Sequence, residues 1–171
     1  MTMFAAHRRL LLLTVITLTL LVQLTVAPEL SVGSVRPDIL LVATVCWALF
    51  HGPGRGTVFG FFGGLVEDIF STAVLGVGAF GKTIIGYFAG ELKHRVVSRS
   101  VAWPMCIVFV ATVLHELLKF ATWTMVGLEE RPPFSFGIIA GMALYNALLT
   151  LVVYPILARV AASEEKAMLF Q

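Results

Sequence analysis

Two lysines, Lys82 and Lys119, lie inside long apolar runs, and this placement constrains the fold more than any other feature of the chain. Apolar runs of about 20 residues are typical of helices that cross a bilayer. A charged side chain within such a run is costly unless it faces the protein interior and finds a partner there. The sequence therefore predicts a membrane-embedded helical bundle with polar groups buried between its helices.

The composition also indicates a membrane protein. Hydrophobic residues make up 58% of the 171 positions and charged residues 13%. A soluble domain averages about 45–50% apolar and about 25% charged residues. We expect the lipid bilayer to surround the chain, and the net formal charge of +2 gives no indication of a nucleic-acid partner.

Six apolar segments predict an all-α integral membrane protein that forms a single transmembrane domain over residues 1–171. Glycine and proline mark most of the breaks between segments, and the charged stretch 91–100 marks another. The second and third segments are shorter than the roughly 17–25 residues of a full crossing, which leaves a re-entrant course open. The predicted helices cover residues 10–27, 37–50, 55–70, 74–91, 102–126 and 136–158.

The charges between the segments predict how the chain is oriented. If successive segments alternate in direction, eight lysines and arginines fall on one side, and only Arg36 and Arg131 fall on the other. Positive residues concentrate on the cytoplasmic side, so we expect six crossings and both termini in the cytoplasm. Trp47, Trp103 and Trp123 lie near predicted helix ends, as interfacial anchors do. The eight positive residues are Arg8, Arg9, Arg55, Lys93, Arg95, Arg99, Arg159 and Lys166.

Two neighbouring segments each carry glycines at four-residue intervals, and one charged residue continues the same spacing in each. Residues four apart lie on one face of a helix, so each segment has a glycine face that includes its charge. Small residues at this spacing allow helices to approach closely in lipid. We expect the two faces to pack against each other or against a common partner. They comprise Gly56, Gly60, Gly64 and Asp68 in the third segment, and Gly78, Lys82, Gly86 and Gly90 in the fourth.

The charged residues of the bundle are expected to lie at similar depths. A rise of about 1.5 Å per residue places Lys82, Glu116 and Lys119 in one layer, with Glu67 and Asp68 above it. Glu116 and Lys119 are three residues apart and can pair on one helix. If Glu116 and Lys119 pair with each other, Lys82 can pair with Asp68 or Glu67. Our hypothesis is that Asp68 and Lys82 form an ion pair whose contributions to stability are coupled. Three interpretations remain open: a closed ion-pair network, a partner-binding surface, and a solute or ion site.

The other polar residues of the apolar segments do not suggest an enzyme. We expect His115 to be an interior histidine held by hydrogen bonds, and Asn146 to bond across to a neighbouring helix. The sequence has no GxSxG, HExxH or Walker motif. Glu67 and Asp68 project about 100° apart on a helix, which is a poor geometry for holding one metal ion. We therefore predict no catalytic residue, no metal and no cofactor.

Four short stretches in the middle of the chain occur in a distinctive order and spacing. They are Arg36-Pro37-Asp38 at the start of a span, then GFFGGLVED from Gly60 to Asp68, then Leu75-Gly76, then GKTIIGYFAG from Gly81 to Gly90. Together they resemble the MreD family of bacterial rod shape-determining membrane proteins. The specific match covers about residues 36–92, and the last two spans match in hydropathy alone. The family motif falls on Pro37, Asp38, Gly64, Asp68 and Gly76.

The resemblance implies a non-enzymatic protein of the bacterial inner membrane that takes part in lateral cell-wall elongation. The partners it implies are MreC and, indirectly, the MreB filament, a RodA-type glycosyltransferase and a penicillin-binding transpeptidase. The fold it implies is similar to the substrate-binding S component of energy-coupling-factor vitamin transporters.

The sequence thus predicts a scaffold or regulator of rod shape that contacts a single-span partner through its helices. The competing hypothesis is a small-molecule-binding membrane subunit of a vitamin or solute transporter. It predicts an outward-facing pocket lined by Lys82, Glu116 and Lys119. A third hypothesis is an orphan structural membrane protein, whose depletion would leave cell shape unchanged.

Overall fold

The computed structural model describes residues 2–70, 75–94, 100–126 and 135–169. Within these ranges the chain forms six α-helices and no β-strand, which confirms the predicted all-α fold and the number of helices. A short 3-10 turn, Leu92–His94, follows the fourth helix. The helices are α1 (Thr2–Thr25), α2 (Ile39–His51), α3 (Pro53–Phe70), α4 (Val77–Glu91), α5 (Ala102–Val126) and α6 (Phe136–Leu169).

Several helix ends differ from the predicted ones. α1 begins at Thr2 rather than at residue 10, and α6 continues through Pro155 to Leu169 rather than ending at residue 158. The residues after 158 are rich in alanine and also include glutamate, lysine, methionine and leucine, which favour a helix even where the apolar run has ended. α4 begins at Val77, and the predicted start at residue 74 lies outside the described residues.

α2 forms the centre of the bundle. Every residue from Ile39 to Leu49 is buried, and the helix packs against all five other helices. A helix that is apolar on all sides is expected to be surrounded by protein or lipid. Because other helices enclose α2, its 13 residues need not match the thickness of a bilayer.

Two glycines with positive φ make the turns that precede α3 and α4. Gly52, with φ of 88°, ends α2 and is followed at once by Pro53, the first residue of α3. Gly76, with φ of 97°, stands immediately before α4. Glycine adopts this conformation without strain, and proline is favoured at the first position of a helix. The two turns allow α3 to fold back against α2 and α4 to fold back against α3.

α3 and α4 pack against each other through their glycine faces, as predicted. A Cβ atom at Gly60 would collide with the carbonyl oxygen of Lys82, and one at Gly86 would collide with the carbonyl oxygen of Gly56. Main-chain atoms cannot move aside as a flexible side chain can, so any added side chain would separate the helices. An added Cβ atom would also lie within 3 Å of a neighbour at three other glycines of these faces: Ala79 at Gly64, Pro53 at Gly90 and the carboxylate of Asp68 at Gly78.

The outer surface of the helices is largely apolar. Phe62, Phe88, Val110 and Leu144 each expose more than half of their surface. Two segments, Ala102–Met125 in α5 and Phe136–Glu164 in α6, are long and apolar enough to cross a membrane. An apolar surface of this extent is suited to contact with lipid rather than with water.

The three tryptophans occupy different environments. Trp103 is exposed near the start of α5, whereas Trp123 is half-buried near the end of the same helix. Trp47 is fully buried in α2 and stacks on His51 and Phe59. The prediction of an interfacial anchor is therefore wrong for Trp47, because α2 lies inside the bundle.

Candidate functional site: an ion-pair cluster inside the bundle

The amino group of Lys82 is the centre of a buried ionic cluster. Lys82 lies on α4, and only 2% of its surface is exposed. Its Nζ lies 2.7 Å from Oε2 of Glu67 on α3, and 2.9 Å from Oδ2 of Asp38, which immediately precedes α2. One buried cation thus binds two carboxylates that belong to two other helices.

Asp38 reaches this cluster because it is the N-cap of α2. Its Oδ1 accepts a hydrogen bond of 2.8 Å from the main-chain N–H of Leu41, which satisfies one of the free donors in the first turn of the helix. Its Oδ2 is thereby directed at Lys82. The sequence placed Asp38 in the family motif but did not identify it as the partner of Lys82.

Gln23 connects the cluster to α1. Its Nε2 donates to Oε1 of Glu67 at 2.9 Å, and its Oε1 accepts from the main-chain N–H of Ile39 at 2.8 Å. Gln23 is almost completely buried, and a buried amide is tolerated when both of its ends are hydrogen-bonded. Sequence reasoning missed this residue, although an isolated amide within the apolar run of α1 is the signal that could have identified it.

Asn146 on α6 bonds across to neighbouring elements, as predicted. Its Oδ1 accepts from the main-chain N–H of Asp38 at 2.9 Å. Its Nδ2 donates to Oγ1 of Thr112 on α5 at 3.2 Å. Together with the contacts of Lys82, Glu67 and Gln23, these bonds connect the start of α2 to all five other helices.

Asp68 does not pair with Lys82, so the predicted Asp68–Lys82 pair is wrong. The Oδ2 of Asp68 accepts hydrogen bonds from the main-chain N–H groups of Gly76 at 2.9 Å and Ala79 at 3.1 Å. A carboxylate in this position offsets the partial positive charge at the N-terminus of α4. Consecutive residues project about 100° apart on a helix, so Glu67, rather than its neighbour Asp68, faces Lys82.

Glu116 and Lys119 form the pair predicted from their spacing. Lys119 Nζ lies 2.6 Å from Oε1 of Glu116. The side chain of Lys119 is 32% exposed, whereas that of Lys82 is 3% exposed. The predicted layer of charges is therefore divided into a buried cluster around Lys82 and a separate, more accessible pair on α5.

His115 is buried next to the cluster but lacks the hydrogen bonds that we expected for it. Within the described part of the chain, neither ring nitrogen has a hydrogen-bond partner. Its Nε2 lies 3.7 Å from Oδ2 of Asp38, which is too long for a hydrogen bond. The ring packs on Gly81 of α4, where a Cβ atom would lie 2.5 Å from Nδ1. The ring of His115 thus occupies the space that a side chain at position 81 would fill.

A polar cavity of about 260 Å³ lies beside the cluster. It is lined by residues of α1, α3, α4, α5 and α6 and by the segment that precedes α2. Lys82 and Lys119 line it, as the pocket hypothesis predicted, whereas Glu116 is not among its lining residues. The cavity lies at the end of the bundle where α2 and α4 begin, the end that the charge distribution predicts to be outer.

Another buried carboxylate lies at the opposite end of the bundle. Glu164 of α6 is 6% exposed, and its carboxylate lies 2.9 Å from Nε2 of His51 and 3.2 Å from Nη1 of Arg55. These contacts hold the C-terminal part of α6 against the turn between α2 and α3. The sequence did not predict them, because the last helix was expected to end before Glu164.

These features define the class of the protein. Among the described residues, no group of three or more His, Cys, Asp or Glu side chains is placed to hold a metal ion. The charges are enclosed by helices whose outer surface is apolar, and two of these helices have the length of a membrane span. This arrangement is that of a helical membrane protein with an ionic cluster in its interior.

Comparison with known proteins identifies the family. The family model of the rod shape-determining protein MreD matches residues 5–161, which is nearly the whole chain. The chain therefore belongs to the MreD family and has a role in rod shape determination, as the resemblance over residues 36–92 indicated. No curated protein and no solved structure gives a significant match.

Proposed function

We propose that the protein is a non-enzymatic scaffold or regulator of bacterial cell-wall elongation. The observation that carries this proposal is the family match over residues 5–161. The direct partner of the protein is MreC. Through MreC the protein acts on the MreB filament, a RodA-type glycosyltransferase and a penicillin-binding transpeptidase.

The surface of α6 supports a scaffolding role. Leu144, Leu148, Leu151 and Val152 each expose half or more of their surface, and their spacing places them on one face of the helix. In lipid, helices associate through van der Waals packing of complementary surfaces rather than through the hydrophobic effect. A continuous apolar face on a helix of spanning length is a surface against which a single-span partner packs.

The proposal includes a defined position in the membrane. The chain crosses the bacterial inner membrane six times and has both termini in the cytoplasm, because its lysines and arginines concentrate on one side. The Lys82 cluster then lies towards the outer face, and the contact between His51 and Glu164 lies at the cytoplasmic face. Reporter fusions at each predicted loop test this arrangement, and an outer location for both termini would contradict it.

Depletion combined with affinity purification tests the function. Depleting the protein from a rod-shaped host is expected to give rounded cells, and the wild-type gene is expected to restore rods. Tagged full-length protein purified from the membranes of the same host is expected to retain MreC. Normal rods after depletion, or the absence of MreC from a preparation whose membranes contain it, would contradict the proposal.

A small-molecule-binding subunit of a transporter is the second candidate, and the polar cavity beside Lys82 is the observation that favours it. The fold similarity to S components that the family resemblance implies belongs to this candidate as well. It predicts that a vitamin or another solute copurifies with the protein, and that depletion reduces uptake of that solute.

A further inference from the structure

The polar cavity contains buried hydrogen-bonding atoms that have no partner in the described part of the chain. His115 is 1% exposed, and both of its ring nitrogens lack a partner among the described residues. The indole Nε1 of Trp123 is also buried and unpaired in this part of the chain. Both residues line the cavity. Buried polar atoms in native proteins are seldom left in this state, because each has given up the hydrogen bond that water would provide.

One face of α5 is directed at the cavity. His115, Lys119 and Trp123 follow one another at four-residue intervals, and all three line it. The amino group of Lys119 has three N–H donors, of which one is directed at Glu116. This face therefore presents several donors to whatever occupies the cavity.

The carboxylates of the cavity are, in contrast, already supplied with donors. Both oxygens of Asp38 contact a donor, one from Leu41 and one from Lys82. The two oxygens of Glu67 accept from Gln23 and Lys82. Each of these carboxylate oxygens thus has a donor from the protein, whereas the indole N–H of Trp123 has no acceptor among the described residues, so the cavity is suited to a ligand that brings acceptor atoms.

Arg36 adds a free cation at the same cavity. It is exposed and lines the cavity, and within the described ranges it makes no hydrogen bond or ion pair. A guanidinium presents several N–H groups in a planar fork, which matches the oxygens of a carboxylate or a phosphate. The adjacent N-termini of α2 and α4, which point towards this end of the bundle, further offset the negative charges of Asp38 and Asp68.

We propose that this cavity binds a phosphate group, either of a free phosphate compound or of a lipid headgroup. Arg36, Lys119, Trp123 and a ring N–H of His115 donate to its oxygens. A phosphate fits better than a carboxylate because these donors approach both from α5 and from the segment before α2, and a phosphate offers acceptor oxygens in more directions. This inference goes beyond the proposed role in cell shape and does not depend on it.

The apolar part of the same cavity accommodates either source of the phosphate. Phe70, Val77 and Met142 line it beside the polar groups. A lipid would place its headgroup at the donors and its acyl chains along these residues and the apolar outer surface. A free phosphate compound would occupy the polar part alone.

The test measures binding to the full-length protein purified in detergent. Radiolabelled inorganic phosphate and glycerol phosphate serve as the free ligands, and nanodiscs containing phosphatidylglycerol, followed by native mass spectrometry, report retained lipid. Saturable binding of the free ligands supports a free phosphate compound as the occupant. Retention of phosphatidylglycerol without saturable binding of the free ligands supports a lipid headgroup as the occupant. No saturable binding and no retained lipid would overturn the proposal.

Matched variants distinguish this site from general electrostatic association. Trp123→Phe and Arg36→Gln are each expected to weaken binding about tenfold or more, because each removes donors from the cavity. Trp103→Phe and Arg159→Gln make the same changes at exposed positions outside the cavity and are expected to bind as the wild type does. Equal binding by all four variants would contradict the proposal. Arg36 is exposed, so Arg36→Gln remains informative even if Trp123→Phe fails to fold.

Discussion

The carboxylate of Asp38 lies 2.9 Å from the amino group of Lys82, so the residue that caps α2 also binds a residue in the middle of α4. Glu67 binds the same amino group at 2.7 Å from α3. Transferring charges out of water costs several kcal/mol per ion, and close contacts such as these are needed to offset that cost. We infer that the cluster determines how α2, α3 and α4 lie relative to one another, more than it adds to net stability.

Replacing Lys82 is expected to destabilise the protein far more than replacing Lys119. Lys82→Met leaves Asp38 and Glu67 as buried carboxylates without a cation, which corresponds to a loss of about 3–5 kcal/mol. Lys119→Met disrupts a partly exposed pair and is expected to cost less than about 1 kcal/mol. Chemical unfolding in detergent, followed by circular dichroism, measures both, and equal losses would show that the two lysines have similar environments.

The glycine faces give a prediction with a control on the same helix. Gly60→Ala is expected to destabilise the protein by about 1–3 kcal/mol, because the new methyl group collides with the main chain of Lys82. Gly54→Ala, also on α3, has nothing within 4 Å of the added atom and is expected to be neutral or to stabilise the helix by up to about 1 kcal/mol. Thermal unfolding of the two variants tests this, and a similar loss for both would argue against close packing of α3 on α4.

Glu164 is expected to hold the C-terminal part of α6 in place. Glu164→Ala removes the carboxylate that contacts His51 and Arg55. Amide hydrogen exchange over residues 159–169 is then expected to accelerate by about tenfold or more, because the helix end opens more often. Ser163→Ala changes an exposed neighbour and is expected to leave exchange unchanged. Unchanged exchange in Glu164→Ala would mean that the contact does not restrain the helix.

The sequence predicted those features that depend on local spacing. Six apolar segments gave six helices, and the four-residue glycine intervals around Gly60 and Gly86 gave the interface between α3 and α4. The pairing of Glu116 with Lys119 also followed from spacing, since residues three apart are neighbours on a helix surface.

The partners of Lys82 depend on how separate helices meet, and local spacing does not determine this. Glu67 and Asp68 are adjacent, and the rotation of α3 about its axis decides which of them faces Lys82. Asp38 lies far away in the sequence and enters the cluster because it caps α2, the helix at the centre of the bundle. An aspartate directly before a fully apolar helix was the signal available for that role.

A double-mutant cycle between Asp38 and Lys82 tests the central claim most directly. The free energy of unfolding is measured for the wild type, Asp38→Asn, Lys82→Met and the double variant in the same detergent. Because the two side chains are in contact, we expect an interaction energy of about 1 kcal/mol or more, and a smaller value for the parallel cycle between Asp68→Asn and Lys82→Met. Additive losses for Asp38 and Lys82, with a larger interaction energy for Asp68 and Lys82, would contradict the account.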